Sequence, residues 1–284
     1  HGPVFDNQNC FNDTLTHSVD FNLVLWEMSR MIKISVAIIA FNEEKRIEKC
    51  LASVSNIADE IVVIDSLSTD RTKEICESYQ AKVISQEFLG YIEQKNFALE
   101  KCQHDYILSL DADEALSEEL ITNILKLKSL DNLSNGYSFN RVTNYCGKWI
   151  FHCGWYPDQK LRLIRKGKAK WMGVNPHDIL KLNNGENGIS INGDILHYSY
   201  PTISSHIEQT NKFTTIAARA SYDKGVRSGF FKIVTRPLLK FLRDYFFKLG
   251  ILDGRYGFII CSINSLSALL KYSKIKEIQE EKEI

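Results

Sequence analysis

The sequence predicts an α/β domain, a mostly parallel sheet flanked by helices, with a helical appendage at the C-terminus. Three observations predict it. Between residues 33 and 128, short β-branched runs alternate about four times with helical spacing, the pattern of a parallel sheet covered on both faces. Two of the runs, Glu60 to Asp65 and Tyr106 to Asp111, end in an acid. From Thr202 onward the apolar spacing turns helical.

The 284 residues, 44% hydrophobic and 25% charged, suffice for one large domain, or for one domain with an appendage. Lys plus Arg equals Asp plus Glu at 35 each, so no overall charge points to nucleic acid. An odd number of Cys residues, with no CxxC spacing, fits a reducing compartment rather than a disulfide framework, and Cys146 and Cys153 read as half-buried thiols. No apolar run is long enough to span a membrane. The first thirty residues lack the features of a signal peptide, and Met31-Ile32-Lys33-Ile34 resembles a natural start. Residues 1–30 therefore read as an artificial or disordered extension, outside the fold.

Taken in order, Ile34 to Ala40 is a buried strand, and Asn42 is placed to cap the helix that carries Ile47, Cys50, Leu51 and Val54. Asn42 and Glu43 also fall where a ligand crevice would open. The strand ending at Asp65 leads through Ser66 to Thr72 into a helix over about 72–79. A short strand over 81–85 and a helix over 92–102 follow; its Lys95 either reaches a phosphate or is a solvated lysine. Next comes Asp111-Ala112-Asp113-Glu114, and then a helix from about Ser117, its cap, to Leu127. In open α/β sheets ligands bind beyond the carboxyl ends of the strands. Clustered carboxylates there suit Mg²⁺ or Mn²⁺ gripping a diphosphate; the competing reading is the acidic first turn of a helix. Neither GxGxxG nor GxxxxGK[ST] occurs, which disfavours dinucleotide and P-loop binding.

Residues 137–142 and 161–165 alternate as strands. Between them, Gly154-Trp155-Tyr156-Pro157-Asp158 sets aromatics beside an acid, which suits stacking on a sugar as well as it suits a hydrophobic patch. His177-Asp178 and His197-Tyr198-Ser199-Tyr200 follow, and His197 can complete an oxygen-rich metal site. Ile207, Asn211, Thr214, Thr215 and Ala218 predict one face of a helix ending near Gly225. Phe230 to Lys248 mixes aromatics and cations with a single acid, and Tyr256 to Tyr272 is more apolar. Such segments suit an anionic membrane interface, packing on the domain, or a homodimer contact. Lys274 to Ile284 reads as a charged, fraying tail.

Together these motifs resemble a known family. Ala40-Phe41-Asn42-Glu43-Glu44, Val63-Ile64-Asp65-Ser66-Leu67-Ser68-Thr69-Asp70, Gln94-Lys95-Asn96-Phe97-Ala98-Leu99 and Leu110-Asp111-Ala112-Asp113-Glu114 look like a family 2 glycosyltransferase of GT-A (Rossmann-like) fold. Asn144 to Trp149, Gly154 to Asp158, Leu196 to Tyr200 and Leu252 to Phe258 narrow the likeness to the bacterial lipopolysaccharide core β-1,4-glucosyltransferase group. The resemblance implies inverting transfer of a hexose from a UDP-sugar to a hydroxyl of a glycolipid or saccharide acceptor such as lipopolysaccharide core. It assigns the nucleotide-sugar to Ala40, Phe41, Glu43, Asp65, Lys95 and Asp111, and the divalent metal to Asp113 with His197. The base is Asp158 or its rival Asp178, and the acceptor side is Trp155, Tyr156 and His177. Residues 31–130 would form the nucleotide-binding half, 131–200 the acceptor-binding half, and 201–284 a membrane-associating helical region. The protein would then be cytoplasmic and peripheral on the inner face of the membrane. Two departures stand out: Ser66-Leu67-Ser68 replaces the usual Ser-Gly-Ser, and Asp178 follows His177 where Glu is usual. A sugar-nucleotide pyrophosphorylase and a non-catalytic carbohydrate or lipid-headgroup binding module are the alternative readings.

Overall fold

The computed structural model describes residues 31–174 and 177–282, with Val174 and His177 described through their backbone only. The extension assigned to residues 1–30 lies outside the described residues.

The predicted alternation forms the core. Strand β1 (Ile34–Ala40) lies between β2 (Glu60–Asp65) and β4 (Tyr106–Asp111), parallel to both, and β3 (Lys82–Ser85) adds to β2 in parallel. Successive side chains of a strand point to opposite faces, and both faces here are apolar. Ile34, Val36 and Ile38 of β1, Val63 of β2, and Leu108 and Leu110 of β4 meet helices α1 (Ile47–Val54), α2 (Thr72–Ser78) and α4 (Glu118–Lys128). Ala37, Val62, Ile64 and Ile107 face the other way, onto α3 (Tyr91–Lys101). Burying each large aliphatic side chain is worth about 2 kcal/mol, so this two-sided sheet is the anchor of the fold.

Beyond β4 the sheet becomes mixed. Its order is β3-β2-β1-β4-β8-β6-β11-β5, adding β8 (Gln159–Arg165), β6 (Gly136–Tyr145), β11 (Ile189–Tyr200) and β5 (Glu114–Leu116). β8 runs antiparallel to β4 and β6, β6 and β11 pair in parallel, and β5 runs antiparallel to β11. β7 (Lys148–Ile150) returns along β6 through Cys146 and Gly147, both at positive φ (51° and 87°), the backbone of a two-residue hairpin turn. β9 (Ala169–Val174) and β10 (His177–Leu182) form a separate ribbon.

The C-terminal part contains α5 (Ile203–Asp223), α6 (Phe230–Leu242), a π-helical turn at Arg243–Phe247, a 3₁₀ turn at Gly250–Asp253, and α7 (Gly254–Glu281). A capping box between Thr202 and Ser205 starts α5. Its buried face carries His206, Thr214 and Ala218, whereas the predicted Ile207 is 45% exposed.

Two of the expected helix boundaries are corrected and one holds. Asn42 does not cap α1, which starts at Ile47; its Oδ1 accepts from the Thr69 N–H at 2.8 Å and its own N–H donates to Ser68 Oγ, stitching two loops together. Ser117 does cap α4, accepting from the Leu120 N–H. The segment from Lys274 is not a fraying tail: α7 continues through it to Glu281, Ile275 is fully buried, and Lys274 Nζ bonds to Asn211 Oδ1 and Thr215 Oγ1 at 2.7 Å each.

Candidate active site

The carboxyl ends of β1, β2 and β4 open into a cleft of about 1380 Å³. Ala40, Phe41, Glu43, Lys95, Asp111, Asp113, Asp178 and His197 all line it. Strands β4, β5 and β11 set the acids. Asp111 ends β4, and Glu114 opens β5, whose pairing puts His197 opposite Glu114. The Tyr198 N–H donates to the carbonyl of Asp113 at 2.9 Å, so β11 carries its imidazole to the acidic loop. A register shift between His197 and Tyr200 re-aims the strand just past this point.

The three acids differ in their surroundings. Asp111 already has cations: Lys95 Nζ lies 2.8 Å from Oδ1 and Arg162 Nη2 3.4 Å from Oδ2. Burial alone would raise its pKa; the charges of Lys95 and Arg162 outweigh it and hold the carboxyl well below the usual range. Glu114 is fully buried, its Oε1 taking Arg162 Nη2 at 2.7 Å and Arg141 Nη1 at 3.2 Å, while Oε2 accepts from the Asp111 N–H. Asp113 is different. It faces His197 Nε2 at 3.3 Å, with Arg46 Nη1 no nearer than 4.0 Å because Glu43 holds that guanidinium by two hydrogen bonds. Burial works against ionisation of Asp113, but the hydrogen bond and charge of His197 bring its pKa below the ordinary value. Glu43 goes the other way, raised by burial despite Arg46.

Lys95 is not a solvated lysine. It is 5% exposed, paired to Asp111 and to Asp178 Oδ2 at 2.8 Å each, and sits 4.2 Å from the centre of the Trp171 ring. Asp65 is fully buried beneath the cleft rather than on its wall. Its Oδ2 accepts from the Ser68 N–H, and its Oδ1 has no hydrogen-bond partner among the described residues. Leu67, at the departure from Ser-Gly-Ser, is held at φ 64° and is half exposed on the cleft wall. A non-glycine residue there costs about 1–2 kcal/mol.

Asp158 lines an adjoining cleft of about 590 Å³ together with Trp155. Both its oxygens are engaged, Oδ2 by Arg141 Nη2 at 2.9 Å and Oδ1 by Lys160 at 2.8 Å. Trp155 belongs to an aromatic cluster with Tyr145, Tyr200 and His206, in which burial lowers the His206 pKa to about 4. Tyr156 lines neither cleft, its hydroxyl donating to Asp194 Oδ1 at 3.1 Å. The acceptor role assigned to His177 falls on a side chain outside those described.

Among the described residues, no group of three His, Cys, Asp or Glu side chains is spaced to hold a metal. Sequence reading passed over Glu114 as a structural ion, and over Arg141, Arg162 and Trp171. For Arg162 the sequence carries no signal: a cation between Leu161 and Leu163 on a strand reads as the solvent-facing side of an alternating strand.

Residues 35–178 match Glycosyl transferase family 2. An uncharacterized glycosyltransferase of Rickettsia typhi is 31% identical over 257 residues, covering 87% of this chain and 88% of its own. The chain is a family 2 glycosyltransferase. This enzyme is also 30% identical over 255 residues to the lipopolysaccharide core biosynthesis glycosyltransferase LpsC of Rhizobium meliloti, covering 86% of this chain and 92% of that one. Among solved structures, S. aureus TarS 1–349 aligns over 89% of this glycosyltransferase and 91% of its own chain, with 14% identity and a TM-score of 0.41. Membership of this family sets aside the pyrophosphorylase reading.

Proposed function

We propose that this glycosyltransferase moves a hexose, with inversion, from a UDP-sugar to a hydroxyl of a glycolipid or saccharide acceptor such as lipopolysaccharide core. The observation that carries the reading is the contrast between Asp111, already neutralised by Lys95 and Arg162, and Asp113, which has His197 at 3.3 Å and Arg46 no nearer than 4.0 Å. Mg²⁺ takes one or two carboxylates and completes its shell with phosphates and water, so Asp113 with His197 fits Mg²⁺ or Mn²⁺ as a protein donor set. When bound, the ion supplies neutralisation of the departing diphosphate. The exposed ring of Phe41 offers a stacking face for uracil, and the buried Asp65 holds the loop behind the pocket by accepting from the Ser68 N–H. Ala40 and Glu43 line the same pocket.

Inversion needs one displacement. A base takes the proton of the acceptor hydroxyl, its oxygen attacks the anomeric carbon, and UDP leaves with the bonding electrons. Asp178 suits this better than Asp158. Asp178 keeps one oxygen without an ion pair among the described residues and lines the larger cleft, whereas both Asp158 oxygens are held by cations. LpsC, by its name a lipopolysaccharide core enzyme, supports the acceptor class.

The test is donor-only turnover across UDP- and GDP-sugars with Mn²⁺, Mg²⁺ or EDTA. Slow, metal-dependent release of UDP from a single UDP-hexose is expected. Asp178→Asn should lower it by about 10² or more and Asp158→Asn by less than about tenfold; the reverse order would return the base to Asp158. Silence with every donor, joined to no UDP binding, would leave a binding module.

The proposed membrane partner rests on the outer face of α6 and the turn after it. Phe230, Phe231 and Phe247 are 83%, 78% and 84% exposed, and Lys232, Arg236 and Lys248 are exposed around them. The one acid of the segment, Asp244, is buried and paired to Lys240 and Arg243. No helix among the described residues is long and apolar enough to cross a membrane. An apolar face ringed by cations fits the surface of an anionic bilayer, each cation adding about 1 kcal/mol. The enzyme should float with phosphatidylglycerol vesicles and not with phosphatidylcholine vesicles, and Phe230→Ser with Phe231→Ser should release it. A concentration-dependent dimer by light scattering, with no flotation, would assign the face to a second copy instead.

A further inference from the structure

The smaller cleft shares Arg141, Lys160, His197 and Ser199 with the donor cleft, so the two are continuous. Its far wall is built by α5 and α7. On α7, Asn264, Ser267 and Lys271 recur at the i, i+3, i+7 spacing that puts them on one stripe, and all three line the cleft. From α5 comes Gln209, whose Oε1 is buried and has no hydrogen-bond partner among the described residues. Trp155 supplies an aromatic wall.

The charges in this cleft do not balance. Its lining holds Arg141, Lys160 and Lys271 against a single acid, Asp158, and Asp158 already takes both Arg141 and Lys160. Lys271 is half-buried and, among the described residues, has neither an ion pair nor a hydrogen bond. Lys274, one turn further along the same helix, is its opposite: four contacts to Asn211, Thr214 and Thr215 tie it down. A partly buried ammonium without an anion, beside an amide oxygen without a donor, is costly in the free protein and is repaid when a ligand supplies both. An apolar ligand would supply neither. A neutral sugar would meet Gln209 and the ring of Trp155 but leave Lys271 unanswered.

We infer that this cleft is the acceptor subsite for an acidic saccharide, whose carboxylate or phosphate group pairs with Lys271. The sugar ring rests against Trp155, and a hydroxyl donates to Gln209 Oε1. The inference rests on the transferase reading for its place in the reaction, since continuity of the two clefts is what brings an acceptor hydroxyl toward the donor. It narrows the acceptor to a charged one. The binding itself is testable without donor or metal.

Purified full-length enzyme would be titrated with glucose 6-phosphate, glucuronate, glucose and inorganic phosphate, followed by tryptophan fluorescence and by ligand-observed NMR. One of the two acidic sugars should bind about tenfold or more tighter than glucose and than inorganic phosphate, and which one does names the anion. Lys271→Gln should erase that preference and Lys271→Arg should keep most of it, each with a melting temperature near that of the parent because Lys271 makes no hydrogen bond or ion pair among the described residues. Glucose binding as tightly as both acidic sugars would overturn the inference, as would an intact preference in Lys271→Gln. Inorganic phosphate binding as tightly as glucose 6-phosphate would reduce the site to a plain anion site and overturn it too. UDP release is measured separately: acidic-sugar binding without release from any UDP-hexose would reject the proposed donor and leave the saccharide site standing.

Discussion

Asp113→Ala is expected to lower metal-dependent UDP release on the order of 10³-fold while leaving the fold intact, a loss of the size seen when one electrostatic stabiliser of a leaving group is removed. The side chain is 21% exposed, its contacts are His197 at 3.3 Å and Arg46 at 4.0 Å, and Glu43 holds Arg46 without it. Nothing in the core depends on it. Its depressed pKa keeps it ionised at neutral pH, in the state a metal requires. The decisive readout is therefore a pair of measurements on the same protein. Mn²⁺ with UDP should raise the melting temperature of the parent enzyme, and the variant should melt at the parent's unliganded temperature whether or not they are added. If the variant released UDP at the parental rate, or still gained stability from Mn²⁺ with UDP, the metal would have to be placed elsewhere. Asp111→Ala is a poor substitute for this test, because it takes one of two counter-charges from both Lys95 and Arg162 at once.

The centre of the sheet was legible because β1, β2 and β4 are buried on both faces, and such strands must read as unbroken apolar runs whatever they pack against. Asp111 and Asp113 stood out at the end of such a run, although an acidic helix start accounts for them equally well when the stretch is taken alone. Lys95 was not. Its helix looks amphipathic and ordinary, and the two carboxylates that bury it, Asp111 and Asp178, lie 16 and 83 residues away in sequence. No local pattern carries that information. Asn42 failed for the opposite reason: cap chemistry was read locally, but Ser68 and Thr69 from the neighbouring loop compete for its polar atoms and win. The end of α7 was misread from its charge, because one buried Ile275 and one well-bonded Lys274 hold a segment that is otherwise polar. Leu67 shows the limit of family likeness. The position is left-handed, as the usual glycine foretells, and this chain adopts that backbone with a leucine whose side chain faces the cleft.

The largest effect on stability is expected at Glu114. Glu114→Ala should cost about 3–5 kcal/mol, the range for removing one member of a buried ion network, or on the order of 10 °C in melting temperature for a chain of this size. One carboxylate serves two guanidiniums here, Arg162 Nη2 at 2.7 Å and Arg141 Nη1 at 3.2 Å. Arg162 has no reserve: it is 2% exposed, and its Nε and Nη1 lack partners already. Without Glu114 its charge falls on Asp111 at 3.4 Å, and the end of β4 loses the carboxylate that accepts its N–H. The cost is that of a stranded charge rather than of a missing attraction, and a double-variant cycle separates the two. Replacing both partners, Glu114→Ala with Arg162→Met, should recover most of the lost stability, because an apolar pair of similar bulk can stand in for a buried ion pair. Recovery of stability without recovery of turnover would show that the network serves the site, holding Asp111 and its loop in place beside Asp113. A single variant that melts within a degree of the parent would mean that water or a neighbouring acid reaches Arg162, and the buried network would no longer account for the fixed geometry of the acidic loop.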